Sequence, residues 1–178
     1  MLRVPRSRGA LTGMLLVLLG IWGGLIPFIG PYFHYAYTPD TAWTYTDGRL
    51  WLEILPAAAV VLGGLIVLAA AVRPVALFGA LLAALGGAWF AVGTLLMPLW
   101  VTGAAATAGT PIGGPVLRVA EQIGFFTGLG VAIVFLAGIA IGSLSRVTIR
   151  DSLFAENRAA AMAADTETTE VAPPHQPV

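Results

Sequence analysis

Residues 52–99 read LEILPAAAVVLGGLIVLAAAVRPVALFGALLAALGGAWFAVGTLLMPL, two apolar blocks interrupted only by Arg73-Pro74. Each block, Leu52 to Val72 and Val75 to Leu99, is near the ~20 residues a helix needs to cross a hydrocarbon core of about 30 Å. The residue before a proline is pushed out of the helical region, and proline suits the first turn of the next helix. Arg73-Pro74 therefore predicts a tight turn, and the two blocks an antiparallel helical hairpin. Along the second block Gly79, Ala83, Gly87 and Ala91 recur at four-residue spacing. Helices in lipid gain little from hydrophobic burial against one another, so they associate where small residues let their backbones approach.

Two further apolar blocks flank this hairpin, Ala10 to Ile29 and Gln122 to Leu144. Together the four account for a chain of 178 residues that is 58% hydrophobic and 10% charged, with a mean hydropathy of +0.88. That composition excludes an ordinary soluble domain. None of the blocks alternates in polarity as barrel strands do, and backbone polar groups in hydrocarbon must be satisfied internally. The expected fold is all-α, an integral-membrane four-helix bundle over residues 10–150. A short N-terminus (1–9) precedes it and a polar, disordered tail (151–178) follows. Gly20/Gly24, Gly124/Gly128 and Gly138/Gly142 offer further close-packing faces, for the bundle itself or for a dimer. Arg6, Gly20, Trp22 and Pro31 recur at one constant offset as Arg73, Gly87, Trp89 and Pro98, a pattern that a duplicated two-helix unit would leave.

All nine basic residues are arginine. Arg3, Arg6, Arg8, Arg73, Arg146, Arg150 and Arg158 fall on one side of the four spans, whereas Arg49 and Arg118 fall on the other. The positive-inside rule then expects a multi-pass plasma-membrane protein with both termini and the Arg73 turn in the cytoplasm, and loops 31–51 and 100–121 outside. The basic N-terminus resembles a secretory signal, but no small-residue cleavage site follows, so the first span is read as retained.

The first outer loop carries all four tyrosines of the chain. Tyr32, His34, Tyr35, Tyr37, Trp43, Tyr45 and Trp51 form a candidate interaction surface, since tyrosine and tryptophan give large contact area at small entropic cost. An aromatic belt at the headgroup level is the plainer reading. Alternation over 33–37 and 43–45, with Pro39-Asp40 and Asp47-Gly48 as turn dipeptides, is compatible with a β-hairpin lying over the bundle. Glu53 and Glu121 stand near the outer starts of the second and fourth spans, where a carboxylate caps exposed amides. Arg49 and Arg118 lie upstream at helical spacing and predict local ion pairs. The same four residues are the candidate ion or proton site, because ionisable groups near a membrane interior are functional suspects.

The motifs of enzymes are missing. The sequence contains no nucleophile elbow, Walker loop, dinucleotide fingerprint or HExxH, so no catalytic, cofactor-binding or metal residues are assigned. Cysteine is absent, which excludes disulfides and thiolate chemistry. A net charge of +0 gives no electrostatic footprint for nucleic acid. In the tail, Thr166, Thr168 and Thr169 lie among acids and are candidate phosphate acceptors.

The stretches Ile26-Pro27-Phe28-Ile29-Gly30-Pro31-Tyr32-Phe33-His34 and Gly48-Arg49-Leu50-Trp51-Leu52-Glu53 resemble an uncharacterised four-pass membrane family of actinobacteria, and Gly124 to Val134 is similar to its last helix. The resemblance covers most of the membrane region and brings no activity with it. The arrangement, with both ends inside and a longer first outer loop, is also similar in architecture to claudin-like tetraspan proteins, although their paired loop cysteines are missing. The expectation is a non-catalytic membrane protein. Its partners are the bilayer and a membrane or envelope protein, or a second copy of itself. The alternative is a small transporter or ion-coupled component using the outer carboxylates.

Overall fold

A computed structural model of the chain describes residues 6–145, together with Asn157. Arg3, Arg146, Arg150, Arg158 and, Asn157 apart, the tail assigned to 151–178 with its three threonines lie outside the described residues. Among the described residues every regular element is helical: α1 (Arg6–Ile29), α2 (Asp47–Arg49), a π-helical turn (Leu50–Ile54), α3 (Leu55–Ala69), α4 (Arg73–Leu96), α5 (Pro115–Phe125) and α6 (Thr127–Ser145), with short 3-10 turns between. They join into four stretches long and apolar enough to cross a membrane, Gly9–Phe33, Asp47–Ala69, Arg73–Leu99 and Pro115–Ser145.

The turn between α3 and α4 follows the local chemistry. Ala70 leaves the helix in an extended conformation, its amide still bonded to the Ile66 carbonyl at 2.8 Å, and Pro74 falls in the first turn of α4. Two stretches begin earlier than their apolar blocks. The second starts at Asp47, capped by the Thr46 side chain, which accepts from the Arg49 amide. The fourth starts at Pro115 as an amphipathic helix, α5, before the chain breaks at Phe126 and continues as α6.

Small residues carry the helix contacts. Gly13 of α1 meets Gly64 of α3, Gly63 of α3 meets Gly79 and Ala83 of α4, and Gly130 of α6 meets Gly87 and Ala91 of α4. The four-residue ladder on α4 thus serves two neighbours, its Gly79/Ala83 end against α3 and its Gly87/Ala91 end against α6. Leu16, Val60, Phe90, Ile133 and Ala137 fill the centre, completely buried and purely apolar. Only dispersion and close approach hold such an interface in lipid, so space is what counts. A Cβ on Gly63 would lie 2.5 Å from the Gly79 carbonyl oxygen, whereas one on Gly138 would meet nothing within 4 Å. Gly63→Val should therefore cost about 3 kcal/mol or more by overpacking, and Gly138→Val close to nothing. Thermal unfolding of the two variants in detergent checks this; equal midpoints would contradict the packing described.

Proline and tryptophan tie the helices at the loop end. Pro56 has no amide hydrogen to offer the Trp51 carbonyl five residues back in the π-helical register. That carbonyl instead accepts the Trp89 indole Nε1 from α4 at 2.9 Å. Trp22, which precedes Trp89 in the sequence echo, does the equivalent from α1, donating to the Gly124 carbonyl at 3.2 Å.

Candidate functional site

The end of the molecule opposite the α3–α4 turn is closed by two loops, residues 34–46 and 100–114, over a buried polar layer. α1 ends in a 3-10 turn (Gly30–Phe33) with Pro31 near its start, and His34 caps it in the left-handed region at φ 56. A side chain on Gly30 would collide with the Tyr35 carbonyl, so the reversal requires glycine there. Residues 36–38 then run antiparallel to 110–112. Thr38 N donates to Thr110 O at 2.9 Å, Ile112 N donates to Ala36 O at 3.2 Å, and Tyr37 faces Pro111 in an isolated bridge. The expected hairpin is thus corrected: the first loop does not pair with itself but with the second. Residues 43–45 take no part in pairing. Trp43 sits at φ 57, its ring stacked on Phe28 at 5.8 Å.

Glu121 fixes the paired loops from beneath. Fully buried, it accepts from Ala36 N on Oε1 at 3.3 Å and from Gly113 N on Oε2 at 3.2 Å, one oxygen for each loop. The expectation of a solvent-exposed helix-capping carboxylate is corrected, because α5 begins nearly two turns before it and carries it under the cap. Its expected partner Arg118 is exposed and donates from Nε to the Gly113 carbonyl at 2.8 Å. Arg118 and Glu121 therefore grip the two polar groups of one residue.

Arg49 holds the first loop. Only 1% exposed, its guanidinium donates to the carbonyls of Thr44 (2.7 Å), Pro39 (3.2 Å) and Tyr37 (3.4 Å), and lies 5.9 Å from the Phe28 ring centroid. Glu53, also 1% exposed, stands with Oε2 4.0 Å from Arg49 Nε, the expected i,i+4 pair. It is an unexpectedly buried one. The Nε and both Glu53 oxygens have no hydrogen-bond partner, since the guanidinium spends its other nitrogens on backbone carbonyls.

The tyrosines divide. Tyr37 is buried between Phe125 and Phe126, with ring centroids 5.1 and 5.3 Å away. Its phenol is pushed up to about 12, by burial first and then by the charges of Glu121 and Glu53. Tyr35, partly buried, donates to the Ala120 carbonyl at 2.6 Å, and burial and Glu121 raise its phenol too. Tyr32, His34, Trp43, Tyr45 and Trp51 remain exposed, joined by Phe33 at 73%. The seven candidate surface residues are therefore two anchors and five outward groups.

No protein-family model, curated protein or solved structure matches this chain.

Several contributors were not readable from the sequence. A pocket of about 210 Å³ lies beside Tyr37, lined also by Thr94, Thr107 and Gln122. Thr94 and Gln122 sit inside stretches read only as apolar. Phe28, the platform for both Trp43 and Arg49, gave no signal beyond ordinary span hydrophobicity. Among the described residues no group of three or more acidic or histidine side chains converges as a metal site.

Proposed function

We propose that this is a multi-pass membrane protein whose four apolar stretches cross the bilayer, with both termini cytoplasmic and the paired loops on the outer face. It works without catalysis, through contact of the loop cap with a membrane or envelope component. The likeness to the four-pass actinobacterial family belongs to this proposal and rests on the short stretches that carry it.

The single observation that carries the reading is Trp43. An aromatic residue in the left-handed region is disfavoured by about 1–2 kcal/mol and persists only where its surroundings over-determine it. Here the strained residue is 64% exposed, stacked on Phe28, and set on a loop pinned by Arg49. A membrane belt would need only interfacial rings and no fixed backbone. A rigid, outward aromatic is what a recognition surface uses. Below the cap, the purely apolar centre supports a structural bundle over a conducting one.

The alternative, an ion- or proton-coupled component, is favoured by one observation only, the absence of hydrogen bonds to the Glu53 carboxylate. Glu121 is committed to the loops.

Replacing Trp43 and Tyr45 together with leucine tests the first reading. Insertion and expression should be retained, while crosslinked partners seen in intact cells with the wild type should be lost, since a single anchor contributes at least about 2 kcal/mol, roughly thirtyfold in affinity. A variant that keeps every wild-type crosslink would reduce the cap to a lid at the membrane edge.

A further inference from the structure

The pocket beside Tyr37 is built from four separate segments of the chain. Tyr37 comes from the first loop, Thr107 and Pro111 from the second, Thr94 from the last turn of α4, and Gln122 and Phe126 from α5 and the break that follows it. Tyr37 and Phe126, 6% and 3% exposed, form its closed inner end, whereas Thr107 and Gln122 are exposed at its mouth. The loop wall is fixed in advance. Thr107 Oγ1 accepts from Gly109 N at 3.0 Å, Thr110 N donates to Thr38 Oγ1 at 2.9 Å, and Gly109 sits at φ 92, where a side chain would collide with the Thr38 carbonyl.

Three polar side chains in this lining are left without partners. The Tyr37 hydroxyl, the Thr94 hydroxyl and the Gln122 carboxamide make no hydrogen bond among the described residues. A tyrosine as buried as Tyr37, with its ring held against Phe125 and Phe126, ordinarily pairs its hydroxyl. This hydroxyl is not sealed off in the core, as the Glu53 oxygens are, and opens onto the pocket. Among the described residues no charged side chain lines the space. Both Glu121 oxygens are spent on the loops, and Glu53 faces Arg49. Burial, and then the Glu121 and Glu53 charges, push the Tyr37 phenol up, and the same charges would repel an anion beside it. The volume, about 210 Å³, far exceeds the ~10–15 Å³ that one water needs and falls below the ~300–1,000 Å³ of a drug-sized site.

We infer that this pocket binds one neutral sugar ring, free in solution or carried at the end of a glycan or a lipid. Each of the three unpaired groups both donates and accepts, which is what a ring of hydroxyls offers in return. The Tyr37 and Phe126 rings give the C–H face of the sugar an apolar floor. A peptide end entering a pocket closed at its inner end would lead with a charged terminus that finds no counter-charge there. The inference rests on neither the Trp43 surface nor the orientation of the bundle.

The full chain is placed in phosphatidylcholine nanodiscs, which carry no glycoside, and titrated with glucose, galactose and mannose under saturation-transfer NMR. At least one of the three should receive saturation on its ring protons, and glucuronate and glucosamine should receive severalfold less. Tyr37→Phe and Thr94→Val each remove one unpaired hydroxyl with little change of shape. Each should weaken the affinity about fivefold, the scale of one net hydrogen bond, and leave the thermal unfolding midpoint unchanged. No transfer to any of the three sugars, wild-type affinity in both variants, or transfer to a neutral blocked tripeptide in their place would overturn the inference. The wild-type titration decides even if a variant misfolds. A diacylglycerol carrying the bound sugar, added to the disc, separates the sources: displacement of the free sugar assigns the ring to a lipid headgroup, and unchanged transfer assigns it to the aqueous side. The variant with leucine at Trp43 and Tyr45 should bind the sugar as the wild type does, so failure of either reading leaves the other standing.

Discussion

Arg49→Met should be among the most damaging single substitutions at the loop end, destabilising the protein by about 3–5 kcal/mol, the scale of breaking a buried charged pair from one side. The guanidinium gathers the carbonyls of Tyr37, Pro39 and Thr44, and its loss removes a charged donor from all three and leaves Glu53 isolated beneath the cap. Lysine should rescue little, because one ammonium cannot reproduce a planar fork that reaches three acceptors. The partner behaves differently. Arg49 keeps its three carbonyl acceptors when Glu53 is removed, whereas Glu53 makes no hydrogen bond, so Glu53→Leu should cost clearly less than Arg49→Met, and Arg49→Met/Glu53→Leu should be more stable than Arg49→Met alone. Thermal unfolding of the four proteins in one detergent gives the cycle. Strong destabilisation by Glu53→Leu, or additive losses in the double variant, would contradict this division of roles. A Glu53→Leu protein of normal stability that has lost a transport activity would move the balance to the ion-coupled reading.

Glu121→Ala should come next, at about 3 kcal/mol, because a buried amide and a part-buried one lose a charged acceptor and each such bond contributes roughly 1.5–3 kcal/mol. The consequence is specific in place: Ala36 and Gly113 belong to different loops, and both depend on one carboxylate. Hydrogen exchange over residues 34–46 and 107–114 should therefore accelerate in both loops together. Glu121→Gln keeps one carbonyl oxygen and should retain about half of the stability, with one loop protected better than the other. Loss of protection in one loop only, in the alanine variant, would show that Glu121 does not couple them.

The four helical stretches were legible because their determinants are local: unbroken apolar length, the Arg73-Pro74 turn, and the prolines at 31 and 98 that close α1 and α4. The close-packing role of Gly79, Ala83, Gly87 and Ala91 was legible as a pattern, but not which neighbour each end would meet. The loop end was much less readable. Pairing of Tyr37 with Pro111 is a contact between distant segments, and alternation within residues 33–45 could only point to a local hairpin. Glu53 and Glu121 were expected in water because apolar blocks mark where hydrophobicity begins, not where the helix begins. α2 and α5 start earlier, in polar sequence, and carry both carboxylates inside. The split of the tyrosines follows from Phe125 and Phe126, whose side chains receive Tyr37 only after the chain breaks at the end of α5.

The claim on which the rest depends is that the paired loops and the α3–α4 turn lie on opposite sides of a membrane. Single cysteines at Thr41 and Thr102 in the loops, and at Ala71 in the turn, are placed at exposed positions in a chain that has no cysteine of its own. An impermeant maleimide applied to intact cells should modify the first two and reach Ala71→Cys only after permeabilisation. Modification of Ala71→Cys in intact cells together with the loop positions would contradict a membrane-spanning bundle, and modification of Ala71→Cys alone would place the aromatic cap in the cytoplasm.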